Sequence, residues 1–170
     1  ATALLVLLPP LHAARTMSTP PVGSLLNVCL SACDAVAPLA NDIYDLVSVN
    51  SARASNLKAD KSYFSLADGI IQALMMRLLR PRLGGFVGEE DEEAIHIDEE
   101  PFRAGGLIAP ESIAARIRSG RQRIEELAAI LSEQSENHDD WLGLTAFVDP
   151  IDGTREFCTG KGAQCTICIG

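Results

Sequence analysis

Asp149-Pro150-Ile151-Asp152-Gly153-Thr154 sets two carboxylates three residues apart around a proline and just ahead of a glycine. Pro150 fixes its own φ, removes a backbone N–H and biases Asp149 toward extended geometry, so the stretch is expected where a strand runs out rather than inside a helix. Gly153 admits a tight turn, after which backbone N–H groups can face an anion. Upstream, Gly84-Gly85-Phe86-Val87-Gly88 is a short, glycine-flanked apolar run that reads as a strand delivering Glu89 at its end, within Gly88-Glu89-Glu90-Asp91. Carboxylates from two such places suit a hard cation such as Mg²⁺. That ion takes oxygen ligands and is usually held by one or two carboxylates, with phosphate and water completing its shell.

Outward from these motifs the chain alternates helical and extended patterns, an α+β reading. From Gly23 to Val47, Leu26, Cys29, Leu30, Cys33, Val36, Ala40, Ile43 and Val47 recur as one helix face, with a kink expected at Pro38. Ser48 to Lys61 is polar and turn-like. A second helix is expected from Leu66 to about Leu79, with Leu66, Ile70, Leu74 and Leu78 as its core stripe, Met75 and Met76 beside them, and Pro81 as its stop. Pro110 to Leu131 reads as a third, carrying Ile113, Ile117, Ile124, Leu127 and Leu131 at helical spacing. Between them, Glu89 to Glu100 is densely acidic and reads mostly as a solvated loop. Ser132 to Asp140 is a polar linker, and Thr145 to Asp149 and Gln164 to Ile169 are expected strands flanking the turn.

Bulk properties narrow the classes. The 170 residues, 47% hydrophobic and 22% charged, are ordinary for a folded core. A net charge of −9 argues against a general nucleic-acid or anionic-membrane surface, since both need clustered Lys and Arg. An anionic substrate would instead be compensated by metal ions. Five cysteines, an odd number without a regular framework, fit a reducing, cytoplasmic setting better than a disulfide-stapled domain. Cys165-Thr166-Ile167-Cys168 has C-x-x-C spacing, but in a strand its two thiols point to opposite faces, which argues against a redox or zinc role. Ala3 to Leu8 is apolar yet far shorter than a membrane span. Residues 1–21 are therefore read as an extension or leader, with Met17 as a candidate start, and 22–170 as the domain.

Phe147-Val148-Asp149-Pro150-Ile151-Asp152-Gly153-Thr154-Arg155-Glu156-Phe157, preceded by Gly88-Glu89-Glu90, resembles the lithium-sensitive, Mg²⁺-dependent inositol monophosphatase superfamily. The resemblance implies a layered α/β/α/β/α fold. It covers the amino-terminal half of such a protein; the later half, with its own metal-binding aspartate and most substrate contacts, has no counterpart up to Gly170. Within the family, Arg155-Glu156-Phe157, Gly160 and Cys165 to Gly170 are most similar to the 3'(2'),5'-bisphosphate nucleotidases. Inositol polyphosphate 1-phosphatases and inositol monophosphatases are the alternatives.

Carried over by motif, Glu89, Asp149 and Asp152 would be carboxylate ligands of Mg²⁺, and Ile151 would offer its backbone carbonyl. Gly153 and Thr154 would present N–H groups to the substrate phosphate. Ser65-Leu66-Ala67-Asp68 is similar to the family's Thr-x-Ala-Asp segment, with serine in place of the usual threonine, which makes Asp68 and Thr154 a candidate proton-transfer dyad. Lys58-Ala59-Asp60 offers a rival alignment, and Asp68 also suits the first turn of a helix against its dipole. The implied activity is that of a phosphoric monoester hydrolase acting on a small substrate, adenosine 3',5'-bisphosphate or an inositol phosphate, without nucleic-acid or membrane partners. An inactive fragment that only binds metal is the non-enzymatic alternative.

Overall fold

The computed structural model describes residues 4–7, 25–49, 55–58, 63–133 and 139–170. They form an α+β fold whose central element is helix α2, Leu66–Leu79. Ser65 caps it. The Ser65 hydroxyl accepts from the N–H groups of Ala67 (3.2 Å) and Asp68 (3.4 Å), while Asp68 Oδ2 accepts from Ser65 N–H (2.7 Å). This reciprocal capping box satisfies donors that a helix start otherwise leaves open. The helix passes into a 3-10 turn, Arg80–Arg82, at Pro81. Leu66, Ile70, Leu74 and Leu78 are all fully buried, and burying each contributes about 1.5–3 kcal/mol. Met75 is buried with them and Met76 only half-buried. Asp68 and Gln72 are also wholly buried, so polar groups enter the core only where partners meet them.

Helix α1, Leu25–Val49, runs through Pro38 as one element. It buries Val28, Cys29, Ala32, Cys33, Val36, Leu39, Ala40, Ile43 and Val47. Leu26 (52% exposed) and Leu30 (36%) are not core residues, contrary to the periodicity reading, because they fall on the flank of this stripe and not along its centre. Helix α3, Glu111–Glu133, buries Ile113, Ile117, Ile124 and Leu131 and packs on both α1 and α2. Gly120 lets it approach closely, since a Cβ there would already lie 3.4 Å from Leu74 Cδ1.

One four-stranded sheet, in the order β1-β9-β8-β4, combines Leu4–Leu7 (β1), Gly85–Gly88 (β4), Thr145–Asp152 (β8) and Thr166–Ile169 (β9). Strands β4 and β8 are parallel, and β9 is antiparallel to both β8 and β1. Leu4–Leu7, inside the stretch read as an extension, is thus a strand of the main sheet and pairs with the edge of β9 opposite β8. Gln164 closes a 3-10 turn, Gly162–Gln164, so β9 is shorter than the alternation suggested.

Two smaller sheets complete the fold. Ser55–Leu57 (β2) pairs with Tyr63–Ser65 (β3), which puts a strand within the polar stretch read as turns. Ile95–His96 (β5), Arg103–Ala104 (β6) and Leu107–Ile108 (β7) form the other. The acidic run is consequently not a free loop. Arg80 pairs with Glu92, Arg77 with Asp98 and Arg118 with Glu100, while the Arg121 guanidinium donates to the carbonyl of buried Ile97 (2.9 Å). Each exposed pair contributes little alone, but together they dock the segment on α2 and α3. Ser132 and Glu133 end α3, and Asp139–Gly143 form a 3-10 turn, at the two ends of the expected linker. Residues 134–138 lie outside the described residues. No helix among the described residues is long and apolar enough to cross a membrane.

Candidate active site

The parallel pairing of β4 and β8 creates the site. Gly88 is opposite Val148, so the next residues, Glu89 and Asp149, leave the same edge side by side, with Glu89 N–H donating to Val148 O at 3.2 Å. Carboxyl ends of parallel strands commonly carry ligand sites for this reason. Val87 and Phe147, paired two residues earlier, are exposed, and the period of two puts Glu89 and Asp149 on that same outward face.

Strand β8 then bulges. Asp149 is opposite Cys168 and Asp152 opposite Thr166, so three steps along β8 match two along β9. Pro150, with no N–H to give the ladder, falls within the irregular stretch. The extra residue has a chemical consequence: an odd spacing that would send the two aspartates to opposite faces instead brings both to one face.

Asp149 Oδ1 is buried and has no hydrogen-bond partner among the described residues. Burial, then the facing Glu89 carboxylate and the charge of Asp152, raise the Asp149 pKa to about 7. A hard cation ligated through oxygen would satisfy the orphaned atom and relieve the repulsion within this acid pair. The Ile151 carbonyl accepts from Thr154 Oγ1 (2.9 Å), leaving a second lone pair. Asp152 is exposed, with Cys168 Sγ 3.9 Å from its Oδ2. Among the described residues no three His, Cys, Asp or Glu side chains form a closed metal cluster. The site therefore consists of the Glu89–Asp149 pair with Asp152 alongside it.

Asp68 approaches from below, on α2. Its Oδ2 takes the Ser65 N–H and the Ser65 hydroxyl (2.6 Å), while its Oδ1 lies 3.2 Å from Thr154 Oγ1. One Asp68 oxygen thus serves the helix cap while the other faces the threonine. Burial raises its pKa to about 7 against the lowering pull of the Ser65 bonds, with the Glu90 charge adding to the rise. Asp60, the rival, lies outside the described residues.

Gly153 adopts φ +94°, a left-handed geometry that other residues resist, and its carbonyl accepts from Cys165 Sγ (3.3 Å). Behind it Thr154–Cys158 forms the short helix α4. Phe157 anchors that helix, fully buried with its ring 5.2 Å from that of Tyr44. All five cysteines are free, and burial pushes the Cys165 thiol up to about 11 and Cys158 to about 12, which leaves them unreactive.

The supporting roles of three residues were not read from the sequence. Gln72 Nε2 donates to Glu90 O and Gln72 Oε1 accepts from Glu90 N–H, both at 2.7 Å. Lys58 Nζ pairs with Glu90 Oε1 at 2.7 Å. Gly88 makes room for the first of these: a Cβ there would sit 2.2 Å from Gln72 Cδ. The available signal was a lone amide, one turn after Asp68, between Ile70-Ile71 and Ala73-Leu74. No family model matches this chain, and no curated protein or solved structure matches it either.

Proposed function

We propose that this chain carries the metal-binding and water-activating part of a Mg²⁺-dependent phosphomonoesterase of the inositol monophosphatase superfamily, with its layered α/β/α/β/α fold, most similar to the bisphosphate nucleotidases. The observation that carries this reading is the 3.2 Å contact between Asp68 and Thr154, 86 residues apart, beside the Glu89–Asp149 pair. Two motifs that are unremarkable singly converge on one point.

Glu89, Asp149 and the Ile151 carbonyl would hold Mg²⁺, with Asp152 completing the donor set. When bound, the ion would neutralise phosphate charge and make water more acidic. The chain's own residues supply the remainder. Thr154 Oγ1, held between Asp68 and the Ile151 carbonyl, receives a proton from the attacking water and passes its own to Asp68. A carboxyl with a pKa near 7 is suited to accepting that proton near neutrality. Gly153, in its left-handed turn, aims the N–H groups at the start of α4 toward the phosphate. Phe157 fixes that turn to the core, so the aromatic of Arg155-Glu156-Phe157 acts as an anchor rather than a substrate contact.

Turnover is measured on the full-length protein with and without Mg²⁺. Mg²⁺-dependent phosphate release from adenosine 3',5'-bisphosphate, exceeding that from inositol 1,4-bisphosphate, is expected. No release from either, with Mg²⁺ failing to bind, would refute the proposal; a preference for the inositol phosphate would move the protein to the neighbouring subfamily.

A further inference from the structure

We propose that Gln72 is a positioning residue that sets Glu89 for cation binding, and that one face of α2 fixes both arms of the site; this rests on the metal reading above. Asp68 and Gln72 are four residues apart, hence on one helical face. Asp68 grips the β8–α4 turn through Thr154. Gln72 grips the end of β4, with both halves of its amide on the backbone of Glu90 at 2.7 Å. Glu89 stands between this clamp and its own bond to Val148 O, so its Cα is fixed from both sides.

The clamp is enclosed as well as bonded. Gln72 is wholly buried, Gly88 leaves no side chain to displace it, and Lys58 holds the Glu90 side chain from the outer side. A glutamine in a core helix is costly unless both amide ends are satisfied, and here, among the described residues, they are satisfied by the residue that follows Glu89. An aliphatic residue of equal size would fill the space and release the turn.

Calorimetric titration with Mg²⁺ alone tests this on wild type, Gln72→Met, and Leu78→Ala, a core variant on the same helix. Gln72→Met should weaken Mg²⁺ binding by about 10- to 100-fold, the usual cost of removing an outer partner of a ligand. Leu78→Ala should leave the affinity of the folded protein unchanged, which separates positioning from general destabilisation. A folded Gln72→Met variant that binds Mg²⁺ like wild type overturns this inference alone; a wild type that does not bind Mg²⁺ overturns the metal reading and this inference with it. Hydrogen exchange of wild type decides the matter if the variant does not fold. The Glu90 amide should then exchange as slowly as the core amides of α2, and fast exchange would overturn the clamp.

Discussion

Replacing Asp68 by Asn should stabilise the fold at alkaline pH while abolishing turnover. Asp68 is raised from 3.8 to about 7 by burial. Between those values the folded protein keeps a proton that the unfolded chain has lost, so the folded state binds more protons and stability falls as pH rises. The contribution is fully present below the unfolded pKa and gone above the folded one. A shift of about three units at 1.36 kcal/mol each is roughly 4 kcal/mol, lost between about pH 4 and pH 7. An amide avoids this loss because it carries no charge. It can still accept the Ser65 N–H and donate to Thr154 Oγ1, which remains bonded to Ile151 O. Urea unfolding in metal-free buffer at about pH 5 and pH 8 should therefore show Asp68→Asn gaining several kcal/mol on wild type between the two conditions. The variant should retain a residual slope of the same sign, since Asp149 is raised in the same direction. Parallel pH profiles for the two proteins would refute the buried, charge-disfavouring environment on which the proton-transfer role depends.

Three further outcomes follow from the geometry. Ser65→Ala removes one half of the capping box and the 2.6 Å bond to Asp68, and should cost about 1 kcal/mol of stability in urea unfolding. Gly88→Ala drives a Cβ into Gln72, which cannot yield without breaking its two bonds to Glu90, so a loss of about 1–3 kcal/mol is expected together with weaker Mg²⁺ binding by calorimetry. Thr154→Val should lower the catalytic rate of the complete protein by about 10²- to 10⁴-fold with Mg²⁺ affinity unchanged, because the hydroxyl serves proton transfer and not ligation.

Local signals announced the elements but not their meeting points. Helix α2 was legible at its carboxyl end, where Pro81 is chemical punctuation, and along the stripe from Leu66 to Leu78, which has helical period. Strand β4 and the start of β8 were legible from glycines and alternation. The bulge that reverses the parity of Asp149 and Asp152 was not, because register depends on β9, whose residues say nothing of where they will pair. The ordering of the acidic run was hidden too: its partners Arg77, Arg80, Arg118 and Arg121 are supplied by α2, the 3-10 turn after it, and α3. Gln72 acquires a role in its apolar helix only through the backbone of Glu90, which is distant in sequence. Leu26 and Leu30 were misread because α1 buries a broad stripe of small residues whose centre lies to one side of them.

On the proposed reading Asp149, with a buried oxygen that has no partner among the described residues and with Glu89 facing it, holds a cation. The most direct test of this reading is calorimetric titration of Mg²⁺ into wild type and Asp149→Asn at near-neutral pH, with thermal unfolding recorded in parallel. Saturable binding and a Mg²⁺-dependent rise in Tm are expected for wild type, because a ligand that binds only the folded state stabilises it. In Asp149→Asn both should vanish while the fold persists. Identical titrations and identical Tm shifts for the two proteins, or no binding by wild type, would contradict this reading.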